Sequence, residues 1–144
     1  RVLFRSARIA LGDYLDRLAG YLFRVYGSTA QHVRFKLNAD RVFISLDRAV
    51  PCALVMSELI SNALKHAFPA GRRGDLNIQV TDLGDGNIRI RVADNGAGLP
   101  AGFQLSRSEG LGLQLVRDIV EDQLDGSLEI SDDGGAVFTV TFMG

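Results

Sequence analysis

The chain has 144 residues, the length of one domain with a single substantial core. Hydrophobic residues make up 47% and charged residues 23%, and the formal net charge is -1. That balance is ordinary for a globular protein, with no basic excess to suggest nucleic acid, no like-charge tail and no apolar run long enough to span a bilayer.

Residues 1–6, Arg-Val-Leu-Phe-Arg-Ser, have no signal-peptide layout. They back-translate to CGT GTG CTC TTC CGA TCT, the end of a common sequencing adapter, so they are expected to be an artefact, with the natural segment starting near Ala7. Leu11 to Tyr26 has helical spacing, with Leu15, Leu18 and Leu22 on one face, and Gly27-Ser28 ends it. Val33, Phe35 and Leu37 alternate with Arg34 and Lys36 as a half-buried strand. After a turn at Asn38-Ala39-Asp40, Val42 and Ile44 form a short return strand. Asp47 is the expected N-cap of the next helix, with Pro51 in its first turn and Phe68 near its end.

Leu76, Ile78 and Val80 alternate with polar residues, Gly84-Asp85-Gly86 turns the chain, and Ile88, Ile90 and Val92 alternate in their turn. This pattern predicts a hairpin. Gly96 to Glu109 is a glycine-rich, irregular connection. A helix is expected from about Leu111 to Leu124, with Leu115, Val116, Ile119 and Val120 inward. Leu128 and Ile130 form a strand, Asp132 to Gly135 a turn, and Phe138, Val140 and Phe142 the last strand. The predicted fold is therefore α+β, a two-layer sandwich with a mixed, mainly antiparallel sheet and three helices on one face. The one cysteine, Cys52, cannot form an internal disulfide; it reads as a small buried hydrophobe and fits a reducing, cytoplasmic setting.

Three segments carry candidate chemistry. In Glu58-Leu-Ile-Ser-Asn62-Ala-Leu-Lys65-His66, the residues Glu58, Asn62 and His66 are spaced i, i+4, i+8, with Lys65 at i+7. An amide oxygen suits hard Mg²⁺ and a lysine suits phosphate, although the same stripe also reads as a solvated polar face. Asp94-Asn-Gly96-Ala-Gly98 follows a strand; an aspartate there can accept from an exocyclic amine, and glycines let the backbone approach a flat ring. An ordinary turn has the same composition. Gly110-Leu111-Gly112 opens a helix, whose free N–H groups favour phosphate, but it is not a P-loop.

Taken in this order, the three segments resemble the N, G1 and G2 boxes of the Bergerat-type (GHKL) ATP-binding superfamily of gyrase, chaperone and mismatch-repair ATPases and histidine kinases. The resemblance covers about Asp47 to Phe142. Glu58-Leu-Ile-Ser-Asn-Ala-Leu-Lys-His-Ala-Phe-Pro and Leu111-Gly-Leu-Gln-Leu-Val look most like bacterial sensor histidine kinases with the second-type dimerisation domain. Ile9-Ala-Leu-Gly-Asp-Tyr-Leu resembles the segment after their phosphoacceptor helices. The implied domains are a connecting helix over 7–30 and an ATP-binding catalytic domain over 31–144.

By this resemblance Asp94 reads the adenine amino group, with Gly96 and Gly98 shaping the pocket. Asn62 ligates Mg²⁺. Lys65, His66 and the backbone of Gly110, Leu111 and Gly112 hold the phosphates, and Glu58 is the general base or proton-positioning group. The implied cofactors are ATP and Mg²⁺, and the implied activity is protein histidine kinase. The implied partners are a dimerisation and phosphoacceptor domain of the same protein, expected to be a homodimer, and a response regulator, with no nucleic acid and no membrane contact by this domain. Neither His32 nor His66 sits where a phosphoacceptor belongs, so the fragment is not expected to phosphorylate itself. Two features depart from the family. Ala136 stands where a threonine often bridges adenine through water, and the stretch between the G1 and G2 boxes is short, with Phe103 its one phenylalanine, which implies a small lid. An anti-sigma-type serine kinase of the same fold and a nucleotide-binding pseudokinase remain as alternatives; intact Glu58, Asn62 and Asp94 speak against the latter.

Overall fold

Alternation of apolar and polar residues organises the centre of the sheet. The computed structural model describes residues 7–97 and 111–144. Strands β1 (Arg8–Ala10), β2 (Val33–Ala39), β3 (Phe43–Ser45), β4 (Gly74–Gly84), β5 (Asn87–Asp94), β6 (Ser127–Asp132) and β7 (Ala136–Met143) are joined by helices α1 (Leu11–Tyr26), α2 (Leu46–Asn62) and α3 (Leu111–Asp118). Five strands form one sheet in the order β2-β4-β5-β7-β6. Only the β2–β4 pair is parallel; the other three pairs are antiparallel.

Leu76, Ile78 and Val80 of β4, Ile88, Ile90 and Val92 of β5, and Phe138, Val140 and Phe142 of β7 are all buried. Their period of two sends them to one face, where the helices cover them. Burying each such side chain contributes about 1.5–3 kcal/mol. Leu11, Leu15, Ala19 and Leu22 of α1 and Val55, Met56, Leu59 and Ile60 of α2 belong to the same core. The β4–β5 hairpin closes through Asp85 and Gly86, both at positive φ (54° and 81°), the twist that a two-residue hairpin turn requires.

Four sequence expectations are corrected. The short strand after Asp40 does not return along β2. Phe43–Ser45 pairs instead with Arg8–Ala10 in a separate two-stranded ribbon, because Asp40 N–H still bonds to Val80 O (2.9 Å) and Leu11 N–H then captures Val42 O (3.0 Å). Helix α2 begins two residues earlier than expected, with Ser45 as N-cap and Asp47 inside the first turn; the ribbon holds Ser45 extended opposite Arg8. Pro51 therefore lies beyond the first turn, inside the helix. Leu115 is 49% exposed, since the inward row of α3 and its extension runs through Val116, Val120 and Leu124. Cys52 is buried as expected, and burial pushes its thiol up to about 12. No helix among the described residues is long and apolar enough to cross a membrane.

Candidate nucleotide site

Asp94 continues the inward row of β5. Ile88, Ile90 and Val92 precede it at spacings of two, so the same alternation that buries them turns a carboxylate toward the helix layer. It is the one buried charged side chain among the described residues, 8% exposed. Its Oδ1 accepts from Gly96 N–H (2.9 Å) and from Ala136 N–H (3.3 Å). Burial raises its pKa above the ordinary carboxylate value, and these two backbone bonds oppose the rise. Its second oxygen accepts from no described residue.

Helix α2 carries the N-box residues. Glu58 and Asn62 are half-buried on it. Beyond Asn62 the helix widens to a turn of i→i+5 type over Ala63–Ala67, so the regular four-residue spacing ends there. Lys65 and His66 lie in that turn and are exposed. Glu58, Asn62, Lys65 and His66 make no side-chain hydrogen bond or ion pair to another described residue.

Two glycines bring the other segments onto this helix. A Cβ on Gly96 would overlap the carbonyl of Ala67, and Ala97 N–H bonds to that same oxygen at 2.8 Å. Gly96, expected to admit a flat ring, packs against Ala67 in the widened turn that follows α2. A Cβ on Gly112 would overlap the Glu58 carboxylate. Helix α2 thus touches the G1 segment at its end and the G2 segment beside Glu58. Nine residues separate these contacts, roughly 13 Å along a helix. Leu111 opens α3, while Gly98, Gly110 and Phe103 lie outside the described residues.

Ala136 is buried beside Asp94, which it contacts through its backbone N–H. Gly135, not singled out from the sequence, has no room for a Cβ because the Asp94 carbonyl occupies that space. Also missed were Arg72, Asp75 and Asn95, which surround the turn after β5. Asn95, inside the Asp-Asn-Gly motif, carried the one available signal. A separate open cleft of about 680 Å³ lies between α1 and β2, lined in part by Asp13, Asp16, Phe35 and Leu37, and contains none of the site residues.

The buried carboxylate at the end of β5 and the two glycine contacts along the helix that carries Glu58 and Asn62 lie within a two-layer α/β sandwich. Residues 47–143 match the family of histidine kinase-, DNA gyrase B- and HSP90-like ATPases, and the chain belongs to that family. The sensor histidine kinase PdtaS of Mycobacterium tuberculosis is 36% identical over 126 residues, covering 87% of this chain and 25% of the relative. PdtaS of Mycolicibacterium smegmatis is 41% identical over 125 residues, covering 86% of this chain and 25% of the relative. The chain therefore spans about a quarter of these relatives' length. The histidine kinase domain of the Erythrobacter litoralis EL346 blue-light activated kinase superposes with a TM-score of 0.83 at 26% identity, over 94% of this chain and 61% of that one. The catalytic domain of histidine kinase ThkA has the same fold, with a TM-score of 0.79 at 20% identity, over 95% of this chain and 94% of that one. The fold is that of a histidine kinase catalytic domain.

Proposed function

We propose that this chain binds Mg-ATP and presents its γ-phosphate to a histidine on a dimerisation domain of the same full-length protein, as a sensor histidine kinase acting on a response regulator. The observation that carries the proposal is α2, which meets the G1 segment at Ala67 and the G2 segment at Glu58, with the Asp94 carboxylate buried at the first end. Adenine fits the Asp94 end, where the second carboxylate oxygen would accept its amino group. Phosphates fit the Glu58 end, where the first N–H groups of α3 form the positive pole of its helix dipole.

The donor set fits a magnesium ion held mainly by phosphate. Among the described residues no group of three or more His, Cys, Asp or Glu could hold a metal by itself. An ion at the Asn62 oxygen would take its remaining ligands from phosphates and water, as Mg²⁺ usually does. When bound, it would neutralise charge on the phosphate chain. Lys65 and His66, both exposed, would approach the same chain. Glu58 would orient or accept the proton of the attacking histidine, a role that demands hydrogen-bond reach in the complex. Such a domain works where ATP is, on the cytoplasmic side.

Asp94→Asn is the test. It replaces an acceptor by an amide at the pocket edge, and should abolish calorimetric binding of an ATP analogue while thermal melting stays close to the original. Unchanged affinity would remove Asp94 from the site. Acid-labile phosphate on a supplied dimerisation domain would support histidine as the acceptor, and acid-stable phosphate on a partner would favour a serine kinase.

A further inference from the structure

Asn95 follows Asp94, yet its side chain turns away from the site, toward the start of β4. Asp75 N–H donates to Asn95 Oδ1 at 2.7 Å, and Asn95 Nδ2 donates to Asp75 Oδ2 at 3.1 Å. Asn95 N–H also donates to Asp75 O at 3.3 Å. Two residues distant in sequence are thus joined by three hydrogen bonds, two of them through the Asn95 amide, which accepts from the Asp75 backbone and donates to its carboxylate. Arg34 of β2 holds the same carboxylate, its Nε donating to Asp75 Oδ1 at 2.8 Å. Arg72 donates to the Asn95 carbonyl at 3.3 Å, gripping the peptide that leads into Gly96. Gly74 makes room for the arrangement, since a Cβ there would meet both the Phe68 ring and Asn95 Oδ1.

We infer that Asp75 and Asn95 form a positioning clamp that holds the turn after β5 in the one geometry in which Asp94 reads the nucleotide base, with Arg72 securing the same turn from its carbonyl side. The inference rests on the assignment of Asp94 to adenine. The clamp touches no ligand. It acts on the segment whose next two N–H groups define the pocket edge: Gly96 N–H bonds Asp94 Oδ1, and Ala97 N–H bonds Ala67 O. A turn released from Asp75 samples other conformations, and apparent affinity falls in proportion to the competent fraction. Hydrogen bonds to a charged partner are strong enough that their loss reduces that fraction to roughly a tenth.

The test is an exchange of donor and acceptor. Asn95→Asp alone sets two carboxylates against each other and should weaken nucleotide binding roughly tenfold. Adding Asp75→Asn restores a donor opposite an acceptor, with roles exchanged, and should bring affinity back to within about threefold of the original. In the nucleotide-free protein, amide exchange at Gly96 and Ala97 should accelerate in the single variant and slow again in the exchanged pair, while β5 amides from Ile88 to Val92 keep their protection. Asn95→Ser, which removes the clamp without a like-charge contact, should reproduce the loss if either variant folds poorly. Affinity within twofold of the original in both Asn95→Asp and Asn95→Ser, with Asp94→Asn still abolishing binding, would overturn the clamp alone. Undiminished affinity in Asp94→Asn would overturn the site assignment beneath it.

Discussion

Replacing Gly96 by alanine tests the join between the helix layer and the turn after β5. Gly96 has no positive φ, so backbone conformation does not demand glycine there. Space does: the added Cβ would overlap the carbonyl of buried Ala67, a backbone atom in the widened turn after α2 that cannot rotate away. Overpacking of this kind costs about 2 kcal/mol. Shifting the turn also sacrifices the 2.8 Å bond from Ala97 N–H to Ala67 O, worth about 1 kcal/mol. The lower entropy of the unfolded alanine chain returns about 0.7 kcal/mol. The expected net loss is about 2 kcal/mol, a drop in Tm of about 7 °C for a domain of this size. Nucleotide affinity should fall as well, because Gly96 N–H would no longer hold Asp94 Oδ1 at 2.9 Å. Differential scanning calorimetry and nucleotide titration read the two effects. A variant that melts with the original protein and binds equally well would show that the Gly96–Ala67 contact is not tight in solution.

Gly112→Ala should behave in the opposite way. Its Cβ would meet the Glu58 carboxylate, the mobile end of a half-buried side chain, so Glu58 can swing aside at little cost. Alanine also gains up to about 1 kcal/mol of helix propensity over glycine. Melting should hold or rise while phosphoryl transfer by the full-length kinase drops by about a hundredfold, the scale of a displaced acid–base group; full transfer would free Glu58 from that role. The raised pKa of Asp94 gives a pH dependence with a definite sign. The folded state holds this proton more tightly than the unfolded state. Asp94's contribution to stability is therefore present below the ordinary value of 3.8 and lost as pH rises through its folded value. Under the proposed assignment nucleotide binding runs the other way, since an adenine amine would need the ionised carboxylate. Calorimetric affinity should weaken on acidification from neutral pH, and a flat or rising profile would contradict the assignment. Asn62→Ala should leave nucleotide affinity without its Mg²⁺ dependence; a variant that keeps the full dependence would place the ion elsewhere.

Local sequence determined most elements of this protein and much of its candidate site. Periods of two and of 3.6 located α1, both strands of the central hairpin, α3 and the last strand, because burying one face of an element leaves its mark on every second or every third to fourth residue. Asp94 was legible as a carboxylate ending such a strand, and the Glu58–Asn62 stripe as the polar side of a buried helix. Tertiary structure decided how these parts meet. The β1–β3 ribbon joins residues 33 to 37 positions apart, and no local pattern distinguishes that pairing from a return along β2. The exposure of Leu115 depends on where α3 is rotated against the sheet. The reasons for glycine at 96 and 112 lie in atoms of Ala67 and Glu58, each remote in the chain. The Asp75–Asn95 bonds span 20 residues and arise only because the antiparallel β4–β5 register sets Leu76 opposite Asp94. Contacts of this kind depend on the packing of whole elements, and a single sequence records the elements far more openly than their packing.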